Sequence, residues 1–371
     1  MKKLTVLVLI GLLLAVSGCK PEPADPFAAV DKATRSDVVD FLISAARGGW
    51  GEYTLGPYGD VGFPTVGEVS GSVSGSPAGA EVVSYSFLDA TLIEVEKTPV
   101  KDGRWGPLTV LYGPKVLVLM EGDAVLAYWL TPQRFAMAPL TKVSQHKDFR
   151  VSPRESGLVA LALAHSGKYQ EAANLLAAMR PAHMEYQGLP LRADIFGRAL
   201  TEGIDPGATA WAGYAAAVLA ATTGNDNLWE EARSYALYLR DIEAPEAVDS
   251  RLAGWLLFST LVDKYPEFGY LPAQWQPQQE EGYDPLYGTW LLLSGQDIAA
   301  YVDTAYQPES PAEKWIHYNL LAAMDALPEE LALELMEFPC GKAVGVEGQP
   351  SLEASCWMVL AFSGKFRDSG T

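Results

Sequence analysis

Histidine and cysteine are scarce in this chain, with four and three copies in 371 residues. His146, His165, His183 and His317 are scattered without a ligand spacing such as HxxxH, and none lies near a cysteine, so neither a structural zinc nor any other metal is expected. The sequence also lacks a GxSxG elbow, a Walker loop and a GxGxxG turn after a strand, which removes the usual signals for a serine nucleophile, a nucleoside triphosphate or a dinucleotide. Gly71-Ser72-Val73-Ser74-Gly75 has similar letters in the wrong pattern, within weak strand territory. Gly224-Asn225-Asp226-Asn227 lacks the spaced acids of a calcium loop and reads as a hairpin turn. No cofactor is expected. Basic side chains are few as well: 27 against 46 acidic ones, for a formal charge of -19. Nucleic acid is thereby excluded as a partner, and anionic surfaces would repel the chain. With 49% hydrophobic and 20% charged residues, the chain is neither disordered nor a multi-span membrane protein.

The one long apolar run is N-terminal. Residues 1–19, MKKLTVLVLIGLLLAVSGC, place two lysines before an apolar stretch from Leu4 to Val16 and end in small residues and a cysteine. The stretch is short for a bilayer core of about 30 Å and reads as a signal peptide. Val16-Ser17-Gly18-Cys19 resembles the lipobox of bacterial lipoproteins. The resemblance implies that Cys19 is diacylated and becomes the first mature residue, anchoring the protein to a membrane. Lys20, standing where aspartate would favour the inner membrane, implies outer-membrane residence facing the periplasm or surface. Residues 20–31, with Pro21, Pro23 and Pro26, read as a stiff tether.

Lipidation of Cys19 leaves Cys340 and Cys356, an even number in an oxidising compartment. A disulfide between them is the natural expectation; two buried free thiols are the alternative. The bridge would close the 17-residue stretch CGKAVGVEGQPSLEASC and contribute about 3 kcal/mol by chain entropy.

Residues 32–150 read as an N-terminal helix followed by a β-rich subdomain. Val30, Ala33, Val38, Phe41, Leu42 and Ala45 share one helical face, and Gly48-Gly49 stops the helix. Edge strands are expected around Glu68 to Val73, and clearer strands over Glu81 to Val95 and Thr109 to Gly113. Lys115 to Met120 and Ala124 to Leu130 read as a hairpin around Glu121-Gly122-Asp123.

Residues 151–371 turn to alanine- and leucine-rich segments with helical spacing. Six of them open on a capping or turn-prone residue, followed by small residues and a large apolar or aromatic one: SPRESGL (Ser152), GATAWAGY (Gly207), DSRLAGW (Asp249), DPLYGTW (Asp284), SPAEKWI (Ser310) and SLEASCW (Ser351). Ser152-Pro153-Arg154-Glu155 and Ser310-Pro311-Ala312-Glu313 read as capping boxes with proline at the first helical position. More polar amphipathic partners are expected at Tyr169 to Met179, Leu228 to Ile242, Asp297 to Ala305 and Glu329 to Glu337, which makes the unit a helical hairpin. Small residues such as Ser156-Gly157, Ala212-Gly213 and Ala253-Gly254 suit helices crowded on an inner ring. Thr209 to Asp241 resembles a hairpin of the six-hairpin glycosidase-type α/α toroids, and Ser166 to Pro181 more weakly resembles half of a tetratricopeptide repeat. The expected fold is thus α+β, predominantly α: an α/α toroid or part of one, or an open solenoid, with a smaller antiparallel β subdomain.

The toroid resemblance implies a mouth in which acids and aromatic platforms gather. Asp205, Asp249, Asp284 and Glu353 are candidate catalytic acids, and Trp50, Tyr53, Trp211, Trp275 and Tyr283 candidate ligand-stacking surfaces. Helix capping explains Asp205, Asp249 and Asp284 better than catalysis does, Glu353 suits a first helical turn, and the tryptophans are more often core residues than platforms. Two functions follow: an envelope lipoprotein that binds or scaffolds a protein partner or glycan without catalysis, or a glycan-active hydrolase or lyase. The enzyme needs two carboxylates converging in an aromatic-lined cleft, whereas the binding module predicts that the acids serve the helix ends.

Overall fold

The structure is a computed structural model that describes residues 25–47, 67–73, 78–88, 91–111, 115–122, 124–131, 150–194, 199–200, 203–279, 282–338, 341–346 and 348–366. The chain is α+β and predominantly helical. Helix α1 (Lys32–Arg47) buries Val38, Phe41, Leu42 and Ala45, the stripe its spacing predicts.

Six strands follow: β1 (Gly67–Ser72), β2 (Glu81–Leu88), β3 (Thr91–Pro99), β4 (Arg104–Val110), β5 (Lys115–Glu121) and β6 (Ala124–Thr131). Glu81 to Val95 holds not one strand but the hairpin β2–β3. An antiparallel sheet runs in the order β3-β2-β5-β6, and β1 and β4 form a separate ribbon. The period-two alternation sends neighbouring residues to two different cores. Val83, Tyr85, Val116 and Val118 join the apolar core that runs through the helices. Val82, Leu117 and Leu119 instead meet Val69, Trp105, Leu108 and Val110 of the ribbon.

The helical part contains α2 (Pro153–His165), α3 (Tyr169–Tyr186), α4 (Pro206–Thr223), α5 (Asp226–Arg240), α6 (Val248–Leu261), α7 (Leu271–Gln274), α8 (Pro285–Leu293), α9 (Pro311–Ala323) and α10 (Leu352–Ser363). All six expected helix starts open a helix, namely α2, α4, α6, α8, α9 and α10. These six pack in succession, and α10 returns to α2, closing a ring. Small residues let the neighbours close up: a Cβ on Gly157 would sit 2.9 Å from the Ala212 amide nitrogen.

The outside of the ring is less regular. Helix α3 covers α2 and α4, α5 covers α4, and α1 lies against α10 and α2. Pro181, which the tetratricopeptide likeness would put at a helix end, lies inside α3. Two expected outer helices do not form. Residues 297–305 are turns, and Glu329 to Glu337 is a loop running into β9 (Leu335–Phe338), the short strands β7 (Arg150–Val151) and β8 (Ala193–Asp194) having paired earlier in the chain as a separate ribbon. Strand β9 pairs with β10 (Gly341–Val346), which also pairs with β11 (Gln349–Ser351). This small sheet lies against α1 at Gly341, where φ is +137° and a Cβ would fall 2.1 Å from the Asp37 carbonyl oxygen, so only glycine fits.

Cys356 is a free, fully buried thiol on α10. Burial pushes its pKa well up, and Glu155 and Glu353 add to the shift, which makes the thiol unreactive. Cys340, its expected disulfide partner, lies outside the described residues, as does Cys19. Among the described residues no helix is long and apolar enough to cross a membrane.

Candidate functional site

The N-terminal ends of the six inner helices meet at one mouth. The Arg154 guanidinium in the first turn of α2 marks this end: Nε lies 2.9 Å from Asp249 at the start of α6, and Nη2 lies 3.0 Å from Glu353 at the start of α10. Converging N-termini leave unpaired N–H groups and a positive dipole end, which acidic side chains counter. Ser152, Asp205, Asp284, Ser310 and Ser351 cap their helices, and Glu155, Asp249, Glu313 and Glu353 lie in first turns.

Between the N-termini of α8, α9 and α10 the mouth opens into a cavity of about 440 Å³, lined by Tyr283, Asp284, Tyr306, Glu309, Glu313 and Glu353 among others. Its aromatic wall is fixed. The Tyr283 and Tyr306 rings meet edge to face at 4.8 Å, and the Tyr283 hydroxyl lies 2.7 Å from Nδ1 of the buried His317. The Tyr306 hydroxyl donates to Glu313 Oε1, and the Glu309 backbone N–H donates to Glu313 Oε2 at 2.7 Å. Burial raises the pKa of both tyrosines, and neighbouring tyrosines and acids raise it further, so both stay neutral hydroxyls. Burial lowers the pKa of His317, opposed by Asp303 and Glu313.

The expected acids divide by job. Asp205 accepts from the Ala208 amide at 3.1 Å, and Asp284 from Leu286 and Tyr287 at 2.7 and 3.4 Å; both are N-caps. Asp249 is not a cap, because that position belongs to Ala247. Its carboxylate takes the Arg154 ion pair and the Trp211 indole N–H at 3.2 Å. Glu353 pairs with the other arm of Arg154 and lines the cavity. The expectation that Trp211 and Trp275 are stacking surfaces is corrected: both are 0% exposed. Trp275 presses on Gly254 of α6, and Trp211 meets Trp357 edge to face at 5.9 Å inside the ring. Of the aromatic candidates described, only Tyr283 reaches the cavity; Trp50 and Tyr53 lie outside the described residues.

Arg154, Glu155, Tyr306, Glu309 and Glu313 belong to the mouth but were not singled out as site residues. For Arg154, Glu155 and Glu313 the signal was the pair of capping boxes, which the structure modifies; Tyr306 and Glu309 lie outside both boxes. In both, the serine hydroxyl accepts the glutamate's own amide, as expected. The Glu313 carboxylate, however, reaches Glu309, one residue before the cap, while that of Glu155 makes no hydrogen bond among the described residues. Burial, reinforced by Glu353 and opposed by Arg154, raises the Glu155 pKa to about 7. Arg154 itself is pulled down by burial, but Asp249 and Glu353 more than offset this and hold it charged.

Among the described residues no group of His, Cys, Asp and Glu is placed to hold a metal ion. The chain matches no known protein family, and its sequence finds no counterpart among curated proteins.

Proposed function

We propose that this protein is a lipid-anchored cell-envelope binding module that holds a glycan, without chemistry, at the mouth of its helical ring. One observation carries the reading: the acids that catalysis would need are already engaged by the protein itself. Asp205 and Asp284 cap helices, Asp249 and Glu353 share Arg154, and Glu313 takes Tyr306 and a backbone amide. Carboxylates fixed in this way serve as oriented acceptors for hydroxyl groups, and the tyrosine wall offers apolar edges to a sugar ring. The lipobox-like start supports an envelope address.

Calorimetric titration with neutral cell-wall oligosaccharides tests the reading. Tyr306→Ala and Glu309→Ala are expected to weaken binding about tenfold each, with no product released by the parent protein. Absence of any glycan binding at the mouth counts against it.

A second reading, a glycan hydrolase or lyase, is favoured by Glu155. A carboxyl with no hydrogen bond among the described residues, raised to about pKa 7 by burial and by Glu353, has the protonation a general acid requires at neutral pH. Turnover of an oligosaccharide that Glu155→Gln abolishes without loss of binding would replace the first reading with this one.

A further inference from the structure

The β part carries a groove independent of the mouth, and its charge is opposite to that of the chain. Strand β3 leads into β4 through Asp102-Gly103, whose φ angles of 52° and 70° are those of a tight hairpin turn. Lys101 and Arg104 flank the turn and exchange both backbone hydrogen bonds, at 2.8 and 2.9 Å. Residues paired in this way present their side chains on the same face, and like charges directly opposite one another repel. Both side chains are exposed, and neither has an ion-pair partner among the described residues. Of the nearby acids, Glu81 is paired with Lys97 and Glu96 accepts the Thr109 amide. On a chain of charge -19, this pair gives the groove a local charge opposite in sign to the whole, the sign that meets an anionic group.

A space to receive it adjoins them. Lys101 and Arg104 line a cavity of about 710 Å³ with Ser70, Ser72 and Thr98. Its floor is the β1–β4 ribbon, where the register shifts between Val69 and Gly71 opposite Gly106, at the kind of irregularity that re-aims side chains beside sites. A Cβ on Gly106 would lie 2.5 Å from Ser70 Cβ, so the two strands ride directly on one another there.

We propose that this groove binds a saccharide-sized ligand carrying an oxyanion, phosphate or carboxylate, with Arg104 as the forked donor, Lys101 as the point charge and the hydroxyl side chains facing the sugar. Titration calorimetry of the full chain at low salt, with glucose 6-phosphate, a galacturonate disaccharide and neutral maltose, tests it and tells phosphate from carboxylate. The expected result is binding of at least one anionic sugar, at least tenfold tighter than maltose, weakened tenfold or more in K101Q/R104Q. Lys101→Glu alone, which turns the like pair into an opposite pair, is expected to raise the ligand-free melting temperature while abolishing binding. Equal affinity for maltose, or undiminished binding by the folded double variant, overturns the proposal. The two cavities share no lining residue, so binding at the helical mouth is expected to survive these variants and the two sites stand or fall separately.

Discussion

Glu155 shows how one side chain can set a pH dependence. Its ordinary pKa of 4.5 is raised to about 7 by burial and by Glu353. Below about 4.5 the group is protonated in both folded and unfolded chains, and its contribution to stability is complete. As the pH rises towards 7 the unfolded chain ionises first, and that contribution is lost. Glu155→Gln is therefore expected to leave the melting temperature at about pH 4 almost unchanged and to raise it near about pH 8, as scanning calorimetry would register. Gly254 makes a steric prediction. A Cβ there would lie 1.9 Å from Cε3 of the fully buried Trp275, a ring with no room to retreat. Gly254→Ala should cost about 1–3 kcal/mol of stability in urea titration, despite alanine's better helix propensity.

Among the elements, Arg154 ties together α2, α6 and α10, which are far apart in sequence. Arg154→Ala leaves the mostly buried Asp249 without its cation and is expected to cost about 1–3 kcal/mol, while Arg154→Lys restores only part of this because an ammonium cannot fork to two carboxylates. A melting series of the two variants reads both effects. The inner helices were legible because their starts carry local chemistry: a serine or aspartate cap, proline at the first position and small residues thereafter. The outer face was legible only in part. Residues 297–305 read as an amphipathic helix, yet the Asp297 and Asp303 carboxylates each accept the amide two residues on, at 2.9 Å, and the resulting turns displace the helix. Glu329 to Glu337 was misread for another reason, since Leu335 and Met336 pair with Val344 and Ala343 of β10, a partner no local periodicity reveals.

At the scale of the molecule, the candidate site is a product of ring closure. Glu353 meets Arg154 across 199 residues, so no local motif could announce their contact, and the buried Trp211 and Trp275 could not be told from platforms by residue type. Removal of residues 352–371 deletes α10 and should abolish the cooperative thermal transition, not merely lower it, because α2, α9 and α1 all lose a neighbour. Circular dichroism melts would check this. Cys19→Ala is expected to release the protein from the membrane fraction, as immunoblots of separated fractions would show. The position of α10 in the chain has a consequence for biogenesis. Polypeptides are made from the N-terminus, so the flank of α2 that α10 covers stays bare until every other described element has been delivered. An arrested nascent chain would expose that greasy seam, which places the need for a holding chaperone during synthesis and not after it.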